Sequence, residues 1–478
     1  MPEPKPPSRA GPHAAGGGRR TPWHTRAVGQ ATVDRAVARV FVLAGVATMV
    51  VTTSIAYRSL DEVVGYLADP LTPRLQEADV TGLWSANLML LQVLLLARLP
   101  WLERAWGRQL LTRWHRSLGS WSVWLMVLHV LLFTVQAVSR EPGRVGSALY
   151  RLYVAEPWMW AASLGTAMVL LVVVSSIVEV RRWLRYETWH LLHLWAYVGM
   201  ALALPHQLVG RELGRGWTGV YWWSLYLVTL AAVVWFRVLV PVHRTRRSAL
   251  RVDRVREEQP GVVSVEMTGR NLDELGARPG QFLVWRFLAG RAGLRGHPYS
   301  LSSAPAGDRL RVTVSTDGDG GRHAAGLRPG TRVAIEGPYG ALGDLRRRHP
   351  RLLLLAAGVG ITPFRALVEG GGFAPGEVAL LHRVSDASQA LFEDELDELA
   401  EQHGMDMTIL SGPRRARGSW LPGGVDGSDH EALLRLVPDL LERDVVVCGP
   451  FGWAAAVRRA ADAAGVLDRD VHTEEFGW

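Results

Sequence analysis

Five histidines in the N-terminal half have spacings that bear on chemistry. His115 and His129 lie in the apolar, tryptophan-rich stretch Arg113 to Phe133. Fourteen residues of helix place them ~21 Å apart along the axis and ~40° apart around it, so they share a face at two depths. A second apolar stretch carries His190, His193 and His206. A metal clamped between two helices needs ligands at matched depths. The separation from His193 to His206, ~20 Å, agrees with the first helix better than that from His190 to His206, ~24 Å. Thirteen residues are ~140° out of phase on an ideal helix, and Pro205 beside His206 supplies a cause for a bend that restores the aim. His190 stays open as the alternative ligand.

Imidazoles on apolar membrane helices need partners. Two stacked pairs, an inner His115 with His193 and an outer His129 with His206, meet what two b-type haems require, one ring nitrogen on each face of a flat macrocycle. Four histidines split into distant pairs cannot make one tetrahedral zinc site. The small residues between them, Gly119, Ser120, Gly199 and Ala203, leave room for a macrocycle or for close helix packing.

These histidines need membrane helices to hold them, and the sequence has six apolar spans long enough to cross a bilayer, at about 36–57, 82–101, 115–138, 157–180, 187–208 and 217–240. Residues 1–30, rich in Pro, Gly and Arg, read as a disordered basic tail without the pattern of a cleaved signal peptide. The chain has 478 residues and a net charge of +8, carried by arginine, with Lys5 its only lysine. The arginines cluster in the tail and in alternate links (98–114, 181–185 and 244–247), whereas the links 58–80 and 139–156 are longer, and acids outnumber arginines in the first of them. By the positive-inside rule the protein is a multi-pass cell-membrane protein with both termini cytoplasmic, and the basic balance is a topology signal rather than a nucleic-acid footprint. A single cysteine, Cys448, excludes an internal disulfide, a cysteine-ligated iron–sulfur cluster and a multi-cysteine zinc site.

After Val242 the pattern changes to short alternating stretches broken by Gly, Pro and Asp, which read as a small antiparallel barrel over 248–345. Within it lies HPYSLSSAP, His297 to Pro305. From Arg351 the pattern becomes strand, glycine turn, helix: RLLLLAAGVGITPFRALVE. An apolar strand running into Gly358 and Gly360, with a helix opened by Thr362 and Pro363, is a cradle for phosphate or nicotinamide, where glycines permit close backbone approach. Next come VALLHRV, ending near Arg383, and VVVCGPFGW, with Cys448, Gly449 and Pro450.

Taken together, HPYSLSSAP, RPGTRVAIEGPYGAL, GVGITP and the Cys-Gly-Pro segment resemble, in order, the flavin and nucleotide motifs of the ferredoxin-NADP reductase superfamily. The histidine-led flavin motif and the histidine-bearing helices resemble the ferric reductase and NADPH oxidase branch. The resemblance implies that His297, Pro298 and Tyr299 contact the flavin and its phosphates or ribityl chain, and that Ser300 and Ser302 approach the isoalloxazine ring. Arg322 would supply positive charge where relatives place Ser or Thr after the turn DGDGG, a departure that leaves FMN open although FAD is favoured. Arg383 would bind the ribose or 2′-phosphate, favouring NADPH, while Asp386 keeps NADH open. Catalytic positions fall at Ser300, at Cys448 near the hydride path, and at a C-terminal aromatic covering the flavin, Trp478 or Phe476.

The expected architecture is a six-helix transmembrane bundle (31–242), an antiparallel β-barrel flavin domain (248–345) and an α/β nucleotide-binding domain (350–478). The function implied is transfer of electrons from cytoplasmic NAD(P)H through FAD and two haems to dioxygen or a ferric chelate outside. Flavin is required because nicotinamide gives electrons in pairs and haem takes them singly. Arg211 and Arg215 on the last outer link are candidates for attracting an anionic chelate. Two alternatives are delivery to a periplasmic partner protein or quinone, and a haem-binding membrane sensor without enzymatic activity.

Overall fold

The computed structural model describes residues 22–56, 75–184, 186–209, 216–290, 295–340 and 347–475, together with residues 293 and 342. The N-terminal half is helical: α1 (Pro22–Ala56), α2 (Leu75–Leu95), α3 (Pro100–Arg140), α4 (Met159–Ser176), α5 (Tyr186–Val209) and α6 (Gly216–Val234), which runs through a single π turn into α7 (Val240–Ser248). Helix α1 takes in residues 22–30 from the stretch read as a disordered tail. Among the described residues, five stretches are long and apolar enough to cross a membrane: Val33–Ile55, Ala78–Leu95, Leu110–Arg140, Met159–Ser176 and Gly216–Ser248. Helix α5, read from sequence as a sixth span, is outside that set; it carries three histidines and Pro205, which dilute its apolar run.

The helices are apolar nearly all round, and many large side chains (Trp121, Trp124, Leu131, Trp223, Val228) face outward, as expected of helices solvated by lipid. Some polar side chains between helices are satisfied internally, whereas the buried His206 Nδ1 has no hydrogen-bond partner among the described residues. Asn87, almost fully buried, donates to Thr52 (2.9 Å), and Ser85 donates to the Ser122 carbonyl (2.7 Å). Helix α3 is broken at Gly107, whose φ of 71° no helix interior holds, so the two turns before it and its histidine-bearing part have different directions.

The C-terminal half is built from strands. Two three-stranded antiparallel sheets, β1 (Arg251–Gln259), β2 (Val262–Thr268), β5 (Arg309–Ser315) and β4 (His297–Ser300), β3 (Phe282–Phe287), β6 (Val333–Tyr339), enclose a core that includes Val265, Met267, Trp285, Phe287 and Val312. Single bridges Leu301↔Val312 and Arg251↔Arg332 join the sheets at both edges. Helix α8 (Asp319–Ala325) follows β5. Beyond it lies a five-stranded parallel sheet of order β11 (Val471–Glu475), β10 (Arg443–Gly449), β7 (Arg351–Ala357), β8 (Val378–Val384), β9 (Asp406–Ser411). Its central strands are buried on both faces and accordingly read as unbroken apolar runs, LLLLAA and VVVC. Helices α9 (Thr362–Gly371), α10 (Glu393–His403), α11 (Asp429–Leu436) and α12 (Phe451–Ala463) accompany it.

Candidate functional site

The four histidines chosen by depth come together in pairs. The His115 and His193 rings have centroids 6.2 Å apart, inclined at 55°, and those of His129 and His206 are 6.5 Å apart at 49°. Two imidazoles on opposite sides of one metal, with bonds of about 2.0 Å and ring centres ~1.1 Å behind each nitrogen, would place their centroids ~6.3 Å apart. The residues therefore fit a bis-histidine metal at each level. His115 Nδ1 lies 3.1 Å from the Gln92 carbonyl oxygen and His129 Nδ1 2.6 Å from that of Ala78, so the N–H of each Nδ1 donates to helix α2 and the tautomer is fixed with Nε2 as the lone-pair nitrogen. His190 is exposed and belongs to neither pair. Helix α5 continues through Pro205, and both His193 and His206 face α3 in spite of their thirteen-residue spacing. Among the described residues no group of three or more His, Cys, Asp or Glu side chains is arranged to hold a metal ion.

Glycines let the helices approach at these levels. A Cβ on Gly82 would stand 2.5 Å from His129 Nδ1, so α2 can reach the ring only with hydrogen there. Gly199 abuts the Gly165 carbonyl of α4, where a Cβ would lie 2.8 Å from the oxygen, and Gly119 faces the Gln92 side chain. Both thus serve helix packing, while Ser120 is exposed and bonds back to the Arg116 carbonyl at 3.0 Å. Beside His193, Trp189 packs at 5.1 Å, and the Arg181 guanidinium covers Trp189 at 4.7 Å.

In the flavin segment, β4 places His297 and Tyr299 with parallel rings 5.7 Å apart. Both face Gly320 at the start of α8: a Cβ there would lie 2.5 Å from His297 Nδ1 and closer still to Tyr299 Oη. Burial pushes the Tyr299 phenol up to about 12, and burial with the neighbouring Arg295 charge lowers His297, so both are neutral at pH 7. Pro298 lies between them in the strand, and Ser300, 8% exposed, ends it. The structure puts Ser302 elsewhere. It is fully buried, its Oγ accepts from Thr313 Oγ1 (2.8 Å), and its carbonyl accepts from Arg311 and Arg365 (both 3.1 Å), which makes it a joint rather than a ring contact. Arg322 is tied to Asp319 and to the Asp317 carbonyl (2.9 Å) and is not gathered with His297 and Tyr299.

In the nucleotide segment, the turn after β7 has Gly358 at φ 53° with open space where a side chain would be. Gly360 lies so close to β10 that a Cβ would come 2.8 Å from the Cys448 carbonyl carbon. Thr362 Oγ1 donates to the Val359 carbonyl (2.9 Å), and Pro363 occupies the first turn of α9, where no N–H is needed. His382, which the sequence reading passed over, holds this turn through the Gly358 carbonyl at 3.1 Å, and burial lowers its pKa to about 4. Two expected contacts take other roles. Arg383 is buried and spends its guanidinium on the Val384 and Gly412 carbonyls, the latter at 2.7 Å. The Cys448 side chain is wholly buried among Ala356, Ile361 and Phe364, and burial raises its thiol, so the group facing Gly360 is its carbonyl. Gly449 is packed by Trp453, and Pro450 caps α12. Asp386 is taken up by Ser388, at 2.9 Å to its N and 2.7 Å to its Oγ. Phe476, Trp478, Arg211 and Arg215 lie outside the described residues.

A charged cluster joins the two soluble parts. Glu395 on α10 accepts from Arg311 of β5 (2.8 and 3.0 Å) and from Arg365 of α9 (2.5 Å). Burial alone would raise the carboxyl, but the two guanidiniums hold it at about 2. No sequence motif marks these residues; only the approach of the sheets assembles them.

Residues 81–204 match the ferric reductase like transmembrane component, and residues 354–459 match the oxidoreductase NAD-binding domain. The chain is 36% identical over 209 residues to the ferredoxin reductase component of 3-ketosteroid-9-alpha-monooxygenase from Mycobacterium tuberculosis (strain CDC 1551 / Oshkosh), covering 41% of this chain and 54% of that one. It is 32% identical to an NADPH oxidoreductase of Mycobacterium tuberculosis (strain ATCC 25618 / H37Rv), covering 42% and 52%. The chain thus spans about half the length of these curated relatives. Among solved structures, the flavohem-like FAD/NAD-binding domain of nitric oxide dioxygenase from Vibrio cholerae O1 biovar El Tor aligns over 49% of this chain and 100% of its own, at 24% identity and a TM-score of 0.41. The chain thus joins a segment similar to the ferric reductase like transmembrane component to one similar to the oxidoreductase NAD-binding domain.

Proposed function

We propose that the chain moves electrons from cytoplasmic NADPH, with NADH as the alternative donor, across a six-helix membrane bundle to an acceptor on the far side, dioxygen or a ferric chelate. The observation that carries this reading is the convergence of four histidines into two pairs whose ring separations suit one metal each. His115 with His193, and His129 with His206, would each hold one b-type haem, and the His297–Tyr299 strand with Gly320 would hold FAD. When bound, FAD accepts an electron pair from nicotinamide and the haems accept electrons singly, which is why all these groups are needed.

The chain's own residues supply position and electrostatics. Donation from Nδ1 to the Gln92 and Ala78 carbonyls orients the His115 and His129 rings and raises the basicity of Nε2. Neutral His297 and Tyr299 offer flat surface without charge, and Ser300 offers a hydroxyl to the polar edge of the flavin. Gly358, Gly360, Thr362 and Pro363 allow the dinucleotide to approach the backbone at the start of α9. With arginine-rich links on the cytoplasmic side, both termini are cytoplasmic, and each electron moved outward gains about 2.3 kcal/mol per 100 mV of membrane potential.

The test is a reduced-minus-oxidised spectrum of the purified chain, given NADPH without oxygen and then air or ferric citrate. Two b-type haem equivalents reduced by NADPH are expected. Absence of haem bands, or bands that NADPH leaves oxidised, would overturn the reading. Reoxidation by air with superoxide formed selects an oxidase, and reoxidation by ferric citrate alone selects a ferric reductase.

A further inference from the structure

Strand β6 of the flavin module is gripped from the membrane side. Arg98 lies in the short connection between α2 and α3, at a φ of 67° that a side-chain-bearing residue rarely adopts. Its side chain is only 10% exposed. Nη1 donates to Glu103 Oε1 in the first turn of α3 (3.2 Å), and Nε lies 3.2 Å from Glu336 Oε1 on β6. The guanidinium covers the Tyr339 ring at 4.4 Å. Glu336 in turn accepts from Tyr339 Oη (3.1 Å) and from Arg286 of β3 (3.3 Å). Helix α7 grips the same strand: Arg244 donates to the Gly337 carbonyl, and Thr245 Oγ1 accepts from the Ile335 N–H (3.0 Å) and donates to its carbonyl (3.3 Å).

The register carries this grip to the flavin strand. Glu336 stands opposite Val284 of β3, which stands opposite Pro298 of β4, so the carboxylate shares one row of the sheet with the flavin segment. The same arginine reaches Glu103, and α3 goes on to carry His115 twelve residues later. A buried carboxylate shared by two guanidiniums is directional, and removing one partner leaves charge uncompensated.

We infer that Arg98 is a positioning residue: with Glu336 and Tyr339 it locks the flavin-binding sheet against the cytoplasmic start of the histidine helix and so sets the gap electrons must cross between the two halves. This rests on the electron-relay reading for its kinetic consequence, though the docking contact stands without it. Most surface arginines can be lost at little cost. The nearly buried, three-partner setting of this one sets it apart.

The test uses the full chain in detergent, comparing wild type with Arg98→Gln, Glu336→Gln and the charge swap of Arg98→Glu with Glu336→Arg. Three readouts are taken: NADPH-dependent reduction of ferricyanide as a measure of the flavin module, NADPH-dependent haem reduction without oxygen, and amide hydrogen exchange of residues 333–339. In either single variant haem reduction should slow at least tenfold, ferricyanide reduction should stay within twofold, and exchange of 333–339 should rise. The swap should recover part of the haem rate. Wild-type haem reduction and wild-type protection in both single variants would overturn the inference. Equal loss of ferricyanide reduction would overturn it as well, because the flavin site itself would then be damaged. If the wild type lacks haem bands, the relay reading fails, and exchange at 333–339 alone decides the docking contact. Should Arg98→Gln not fold, Glu336→Gln carries the same outcomes, since it keeps the shape and removes the charge.

Discussion

Replacing Gly360 with alanine should separate backbone crowding from backbone strain in the nucleotide turn. The added methyl would lie 2.8 Å from the Cys448 carbonyl carbon and closer to its oxygen, and 3.2 Å from Gly449 Cα. Carbon–oxygen contacts ordinarily relax to about 3.3 Å or more, so the turn and the end of β10 must part by on the order of 1 Å. Overpacking of this kind costs about 1–3 kcal/mol, and a displacement of ~1 Å at the hydride-transfer site proposed for this turn would cost ~10²-fold in rate. Gly358→Ala is the control. At φ 53° it takes on left-handed strain of about 1–2 kcal/mol, but its methyl meets nothing within 4 Å. The assay is NADPH–ferricyanide turnover with thermal unfolding of the same preparations. We expect kcat/KM of Gly360→Ala to fall by about two orders of magnitude and that of Gly358→Ala by no more than about tenfold. Gly360→Ala turning over as well as Gly358→Ala would refute the close-approach argument.

His193→Leu should remove one of the two haem equivalents in a pyridine haemochrome assay while His190→Leu keeps both, because only the His193 ring faces His115. The reverse result would reassign the ligand. Glu395 tests acid stability. Its carboxyl is held near 2 against an ordinary 4.5, so the stabilisation is fully present above about pH 4.5 and is lost as pH falls toward 2. For a side chain 31% exposed it is worth on the order of 2 kcal/mol. Thermal unfolding between pH 6 and 3 should show an acid-dependent loss in wild type that Glu395→Gln, already destabilised at pH 7 because Arg311 loses its carboxylate while Arg365 keeps Glu369 (2.6 Å), lacks; parallel pH profiles would count against the network.

Local chemistry left a clear record in the chain. The glycine turn at Gly358 and Gly360, the proline opening α9, and the unbroken apolar runs of the parallel sheet are positions where backbone geometry admits few residue types, so the residues name the structure. Histidine depth was legible because helix rise is constant, and the rings of His115 and His193, and of His129 and His206, lie beside each other at the depths that rise implies. Rotation about the helix was not legible. An ideal helix puts His193 and His206 on different faces, and their convergence on α3 depends on how α5 lies against its neighbours.

Side chains whose roles are set by burial escaped the sequence. Arg383 has the type and place of a phosphate ligand, yet the carbonyls at the strand end claim it. Cys448 has the type of a reactive thiol, yet it is buried in an apolar cluster. Ser302 reads as a flavin contact and is instead the point where barrel and nucleotide helix are tied through Arg311 and Arg365. Arg98 and Glu336, more than two hundred residues apart, read as a topology signal and a strand charge until the two halves meet. The amino-acid sequence thus determined which chemistry the chain can house and the depth at which each histidine sits, because residue type and helix rise are local properties. Tertiary structure alone decided which charges are spent holding domains together, because a charge is committed only when another segment removes it from solvent and offers a partner.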